Sequence, residues 1–168
     1  MVGGDDPMIR LKRALLAGCL FLGLPSPLAA TTLLKATITT AVTAAVSSTL
    51  QVNSSDAVPA SAAIQGNFVY GSGGTTADAW VQTSLDGGST WTDVANFHYT
   101  TSSARFQFNL SSLTPVTTEY TPTDGTLAAN TAKDGVFGSQ WRVKYTTTGA
   151  YAGGTTMQID IITKRLTQ

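Results

Sequence analysis

Three stretches of this 168-residue chain alternate apolar and polar side chains along the backbone. Residues 104–110 read Ala-Arg-Phe-Gln-Phe-Asn-Leu, residues 141–145 read Trp-Arg-Val-Lys-Tyr, and residues 157–161 read Met-Gln-Ile-Asp-Ile. Because successive side chains of a β-strand point to opposite faces, this alternation predicts strands with one face in a core and the other towards solvent. Less regular alternation covers 64–70 and 79–85, and the Thr- and Val-rich segments 35–42 and 45–52 are further candidate strands.

Glycine- and aspartate-rich clusters separate these stretches, at 53–56, 71–74, 86–88 and 149–154. No segment after residue 30 keeps the 3.6-residue period of a helix, and short strands between such turns are typical of all-β sandwiches and barrels. We therefore predict that residues 31–168 form an all-β domain. Its expected architecture is a single antiparallel β-sandwich, jelly-roll-like, of about seven to nine strands with one long irregular loop.

The irregular loop spans 113–139 and contains Thr-Pro and Asp-Gly pairs without sustained alternation. So long a connection is uncommon in a compact domain unless it has a function or packs on a partner. Two alternatives stay open: a loop that docks on another subunit, and a loop folded back over its own sandwich. Its interface candidates are Tyr120, Asp124, Lys133 and Asp134.

A fifth interface candidate, Trp80, lies in register with Gln82 and Ser84 on the polar side of its strand. A tryptophan exposed on that side would be a binding or interface residue, since large aromatic side chains are enriched at interfaces. Trp91 and Trp141, in contrast, are expected to point into the core.

Charged residues make up only 12% of the chain and the formal net charge is zero. Typical soluble domains carry about 25% charged residues. No basic run follows the first 13 residues, so the clustered positive charge that nucleic-acid binding needs is missing from the predicted domain. The single cysteine, Cys19, excludes an internal disulfide and a cysteine-based metal site.

Residues 1–30 form a separate leader with a basic opening, an apolar run at 14–24, a Pro-Ser-Pro break and a small-residue exit. That order is typical of a secretory signal peptide. The alternative is an upstream extension, or a basic and apolar tail used within an assembly. The apolar run is about half the length that a membrane-spanning helix needs, so we predict no membrane-spanning segment.

The segment Ser84-Leu-Asp86-Gly-Gly88-Ser-Thr90-Trp91 resembles the Asp-box found in hairpins of sialidases and other β-rich proteins. An aspartate can accept hydrogen bonds from the backbone of its own turn, and a glycine supplies the positive φ of a tight hairpin. In this resemblance the motif is structural, so Ser84, Asp86, Gly88, Thr90 and Trp91 are predicted to form a turn.

No catalytic residue stands out, and we predict that the chain is not an enzyme. His98 is the only histidine, and a Ser-His arrangement would also need an activated serine and an orienting acid. A zinc site would need more histidine or cysteine, and the aspartates lack the Asp-x-Asp-x-Asp spacing of a calcium loop. The prediction is therefore no catalytic site, no metal and no cofactor.

The predicted domain is similar as a whole to small structural proteins of tailed bacteriophages and prophages. The segments that carry this likeness are 70–75, 79–88, 106–115, 121–125, 141–145 and 151–156. The resemblance implies a virion component, either a capsid decoration protein or a head–tail or tail accessory. Its partners would be other copies of itself and other virion proteins.

The alternative function is an exported carbohydrate-binding or adhesion module, located in the periplasm or outside the cell. The signal-like leader and the Asp-box-like turn favour it, and its ligand would be a glycan. The two functions predict different locations, the virion and the export pathway.

Overall fold

The computed structural model describes residues 29–47, 49–51, 58–119 and 121–165. These residues contain eleven β-strands and no helix, and hence no helix able to cross a membrane. In chain order the strands are β1 Thr31–Thr37, β2 Val42–Val46, β3 Leu50–Gln51, β4 Ser61–Val69, β5 Ser72–Gly73, β6 Thr76–Ser84, β7 Thr92–Tyr99, β8 Ala104–Ser111, β9 Gln140–Thr148, β10 Tyr151–Ala152 and β11 Thr156–Lys164.

Two antiparallel sheets contain all the long strands. The four-stranded sheet has the order β1-β11-β4-β8, and the five-stranded sheet has the order β2-β9-β6-β7 with β3 also paired to β9. The pairing of the long strands is nested: the first pairs with the last, and each later pair lies inside the previous one in the sequence. The pairs are β1 with β11, β2 with β9, β4 with β8 and β6 with β7. This nested pairing across two packed sheets is a jelly-roll arrangement, which confirms the predicted all-β sandwich.

The predicted number of strands fits the eight long strands of the described residues. The other three, β3, β5 and β10, have two residues each. Two residues are too few to produce a recognisable alternation in the sequence. Strands β5 and β10 pair with each other as a separate ribbon.

The core lies between the sheets and contains the inward side chains that the alternation predicts. Met157, Ile159 and Ile161 on β11 are buried, and so are Trp141 and Val143 on β9. Burying a large apolar side chain contributes about 1.5–3 kcal/mol to stability. The strand pattern alone therefore identified much of the hydrophobic core.

An aromatic cluster fills the side of the core beneath β4 and β8. The ring of Tyr99 stacks on Phe68 at 4.9 Å and on Phe106 at 5.6 Å between centroids. Gly66 on β4 makes room for this stack, because a Cβ there would overlap the Tyr99 hydroxyl. Although Phe106 lies on the inner face as predicted, 40% of it stays exposed because β8 is an edge strand.

The N-terminal predictions were less accurate. Strands β1 and β2 start and end elsewhere than the expected segments 35–42 and 45–52. In that region threonine and alanine occupy both faces, so the sequence carries no clear period. The predicted leader, up to residue 28, lies outside the described residues.

Candidate functional site

All five residues of the Asp-box-like motif lie together in the turn that joins β6 to β7. The Ser84 hydroxyl donates to Asp86 Oδ1 at 2.8 Å and accepts the Gly88 N–H at 2.8 Å. Asp86 also accepts the backbone N–H of Thr90 at 2.8 Å and the hydroxyl of Thr90 at 2.7 Å. The Trp91 indole N–H donates to the Gly88 carbonyl at 2.9 Å. The polar side chains of the motif are therefore engaged within the turn itself.

The carboxylate at the centre of this turn is held in its ionised form. Hydrogen bonds from the Thr90 backbone, from the Thr90 hydroxyl and from Ser84 lower the pKa of Asp86 to about 2. Gly87 and Gly88 adopt φ values of 72° and 95°, a region that glycine enters without steric cost. An ionised carboxylate only accepts hydrogen bonds, so this group fits a turn and has no proton to donate near neutral pH.

The long loop at 113–139 runs along the outer edge of β7. The Asn96 N–H donates to the Thr131 carbonyl at 2.8 Å, and the Lys133 N–H donates to the Val94 carbonyl at 2.8 Å. The described part of the loop therefore follows the second alternative, a loop folded back over its own sandwich. Whether its outward surface also docks on another chain stays a prediction.

A buried carboxylate anchors this loop to the sheet. Asp93 on β7 is fully buried and accepts the backbone N–H groups of Gly125, Thr126 and Leu127 at 2.9–3.1 Å. Its Oδ1 also accepts a hydrogen bond from Gln82 Nε2 at 2.7 Å. Three successive amides around one anion form a backbone nest. The nest fixes the position of the loop on the outer face of the five-stranded sheet.

Charged side chains beside this anchor pair with one another. Asp124 Oδ1 lies 3.1 Å from the Arg142 guanidinium and 3.2 Å from Lys144 Nζ. Burial acts to raise the pKa of Asp124, but hydrogen bonds from Gln82 and Lys144 and the nearby positive charges leave it below its usual value. The Arg142 guanidinium also lies 4.0 Å above the ring of Trp91. This cluster connects the motif turn to the loop.

The other predicted interface residues have varied surroundings. Trp80 lies on the outward face of β6 as predicted, but the loop half-buries it and its indole N–H donates to the Leu127 carbonyl at 2.9 Å. The exposed carboxylate of Asp134 accepts the Ser111 N–H at 2.8 Å. Tyr120 lies outside the described residues. An interface role for these residues remains a prediction.

The one histidine has an acidic neighbour. His98 Nδ1 lies 2.8 Å from Asp78 Oδ1, which is the contact a catalytic base makes with its orienting acid. Within the described ranges, His98 bonds to the side chains of Asp78 and Asn130 and to no serine or threonine hydroxyl. The same ranges contain no group of three metal-ligating side chains.

A groove of about 500 Å³ crosses the outer face of the four-stranded sheet. Its floor is the exposed Ala63 on β4, and its sides come from β8 and β11. Its polar groups are amides, which donate and accept hydrogen bonds, and the carboxylate of Asp160, which accepts them. The outward side chains that line it are Ala63, Gln65, Gln107, Asn109, Asp160 and Ile162.

Sequence reasoning placed Gln107, Asn109 and Asp160 on outward faces but did not bring them together. Their proximity depends on strand order, which places β4 between β8 and β11 and pairs Gln65 with both Gln107 and Asp160. Gln107 donates to Gln65 at 2.8 Å across that pairing. The alternation in the sequence gives the face of each residue but not which strands are neighbours, so it carried no signal for the groove.

Comparison of the chain with known protein families, with curated proteins and with solved structures gives no match. The functional argument therefore depends on the chain's own geometry.

Proposed function

We propose that this chain is a structural protein of a tailed-bacteriophage virion, a capsid decoration protein or a head–tail or tail accessory, that acts through protein–protein contacts. The observation that carries the proposal is the outer face of the four-stranded sheet, which the described residues leave open. Uncharged amides such as Gln65, Gln107 and Asn109 line a groove there. Amide side chains satisfy both donors and acceptors of a neighbouring chain. The jelly-roll topology is also used in viral capsid domains, which supports the proposal by analogy of fold alone.

The charge distribution supports repeated association of identical copies. The net charge is zero, and on the opposite face Asp124 pairs with both Arg142 and Lys144. Low net charge removes long-range repulsion between copies, and a symmetric particle multiplies one modest interface into a firm attachment. The loop surface, including Lys133 and Asp134, would supply further contacts.

Location tests this proposal directly. Phage particles purified on a density gradient and the cell-envelope fraction are digested with trypsin and compared by mass spectrometry. The peptide 106–133, which follows Arg105 and ends at Lys133, reports the protein. High copy number in particles supports the virion function, whereas recovery only from the envelope overturns it.

The groove also favours a second function, an exported glycan-binding module. Amides and a carboxylate such as Asp160 are suitable partners for sugar hydroxyl groups, and the apolar Ala63 and Ile162 could contact a sugar ring. The test is binding of the chain to a glycan array. Gln65→Ala should abolish binding while Asn67→Ala, two positions along the same outward face and outside the groove, should retain it. Equal binding by both variants, or none by the unaltered chain, would reject the glycan function.

A further inference from the structure

The four edge strands of the two sheets, β1, β8, β2 and β7, differ in how they are protected from pairing with another chain. Strand β1 shifts register between Thr32 and Leu34, and β2 shifts between Val42 and Ala45. The loop covers the edge of β7 with its own hydrogen bonds. Strand β8, however, pairs with β4 over eight consecutive positions without a shift. Bulges and covering loops normally protect edge strands from pairing with another chain. Among the residues that the structure describes, neither is found along most of β8.

The free backbone groups of β8 can be identified from its C-terminal end. The Ser112 N–H donates to the carbonyl of Ala60, the residue before β4, at 3.0 Å. Ser111, in contrast, bonds to the loop on the other side: its N–H donates to the Asp134 carboxylate, and its carbonyl accepts the Gly135 N–H. Because the direction alternates along a strand, the odd-numbered residues point away from β4. Among the described residues, nothing bonds to the outward N–H and C=O groups of Arg105, Gln107 and Asn109.

We propose that the free edge of β8 pairs with β8 of a second copy of this chain, antiparallel and about a twofold axis at Gln107. The two four-stranded sheets then become one continuous eight-stranded sheet. In this register Gln107 faces its own counterpart and exchanges two backbone hydrogen bonds with it, while Arg105 of each copy faces Asn109 of the other. The inference rests on the proposed function, since it names the surface and partner for contacts between copies.

Self-complementarity favours a second copy over an unrelated strand. The even-numbered residues form the closer, non-hydrogen-bonded pairs, so Phe106 of each copy lies opposite Phe108 of the other. That contact covers the exposed part of Phe106. Arg105 is the only charged residue of β8 and meets a neutral amide in this register. An axis at Arg105 itself would place two like charges opposite each other, which disfavours it.

Sedimentation equilibrium of the full chain over a wide concentration range tests the inference, with two variants at one position. Gln107→Pro removes the outward N–H but leaves the bonds to β4 intact, since an edge strand accepts proline where its N–H faces away from the sheet. Gln107→Thr keeps that N–H and is the matched control. We expect dimers for the unaltered chain and for Gln107→Thr. For Gln107→Pro we expect the dissociation constant to rise by about tenfold or more.

Amide hydrogen exchange of the unaltered chain is a second test, and it does not depend on whether a variant folds. The amides of Arg105, Gln107 and Asn109 should gain protection as concentration rises, whereas that of the exposed turn residue Ser89 should not. A monomer at all concentrations, or a dimer without this protection, overturns the inference. If the chain is found in particles but shows neither a dimer nor this protection, the β8 pairing is overturned and the virion function is not. A β8 dimer found only in the envelope fraction supports the pairing and overturns the virion location.

Discussion

Replacing Asp93 by asparagine should detach the long loop from the sheet. The carboxylate is fully buried and accepts bonds on both oxygens. Gln82 Nε2 donates to Oδ1, and the amides of Gly125, Thr126 and Leu127 donate to Oδ2. An asparagine side chain must place its NH₂ group against one of these sets of donors. Neither orientation satisfies both sets, so Asp93→Asn leaves at least one buried donor without an acceptor.

The magnitude follows from the better of the two orientations. With the amide oxygen towards Gly125, Thr126 and Leu127, Gln82 Nε2 keeps its bond to Asp124. Its other N–H, which bonded to Asp93, is left unsatisfied at a cost of about 1–3 kcal/mol. The three remaining bonds lose the assistance of a full charge, which costs about 1 kcal/mol each. Rotating Gln82 does not relieve the conflict, because its Oε1 already accepts from Arg142 Nε at 2.7 Å. We therefore expect the free energy of unfolding to fall by about 4–6 kcal/mol.

Equilibrium unfolding in urea measures this change, and hydrogen exchange at Thr126 and Leu127 shows whether the loop has been released. Asp134→Asn is the matched control, because Asp134 is an exposed carboxylate that accepts the Ser111 amide. The control should lose less than about 1 kcal/mol. A loss below about 1 kcal/mol for Asp93→Asn, with unchanged exchange at the loop, would refute the anchoring role.

Three further outcomes are expected. The folded-state pKa of Asp86, about 2, is below its ordinary value of 3.8, so its stabilising effect is complete above pH 4 and is lost as the pH falls towards 2. The gap in urea midpoint between the unaltered chain and Asp86→Asn should therefore close over that range; a constant gap contradicts this. Gly66→Ala should lower stability by about 1–3 kcal/mol, because the new Cβ overlaps the Tyr99 hydroxyl. Tyr99→Phe, which removes a buried hydroxyl that has no hydrogen-bond partner among the described residues, should be neutral or stabilising in thermal unfolding and should partly rescue Gly66→Ala. If the stability change of the double variant equals the sum of the changes from Gly66→Ala and Tyr99→Phe, the predicted overlap is contradicted.

The sequence predicted the sandwich because its central strands bury one face and expose the other. Met157, Ile159 and Ile161 carry a period of two that β11 preserves. The Asp-box-like turn could also be predicted, because its residues lie within eight positions of one another and are joined by local hydrogen bonds.

The groove and the loop anchor could not be predicted in the same way. Gln65, Gln107 and Asp160 come from three strands far apart in sequence, and only the strand order makes them neighbours. Asp93 reads as an ordinary polar residue at the start of a strand. Its burial arises because the loop covers β7 on the side that would otherwise face solvent.

The position of β11 has a consequence for how the protein is made. This strand lies between β1 and β4 in the four-stranded sheet, and Thr31 pairs with Ile161. Until residues 156–164 have left the ribosome, β1 has no partner in its sheet and the apolar faces of β1 and β4 have no strand between them. Such long-range pairing slows folding because the chain must close large loops first. We therefore expect a nascent chain that stops before β11 to remain sensitive to proteases and to depend on chaperones, and to become resistant once that strand emerges.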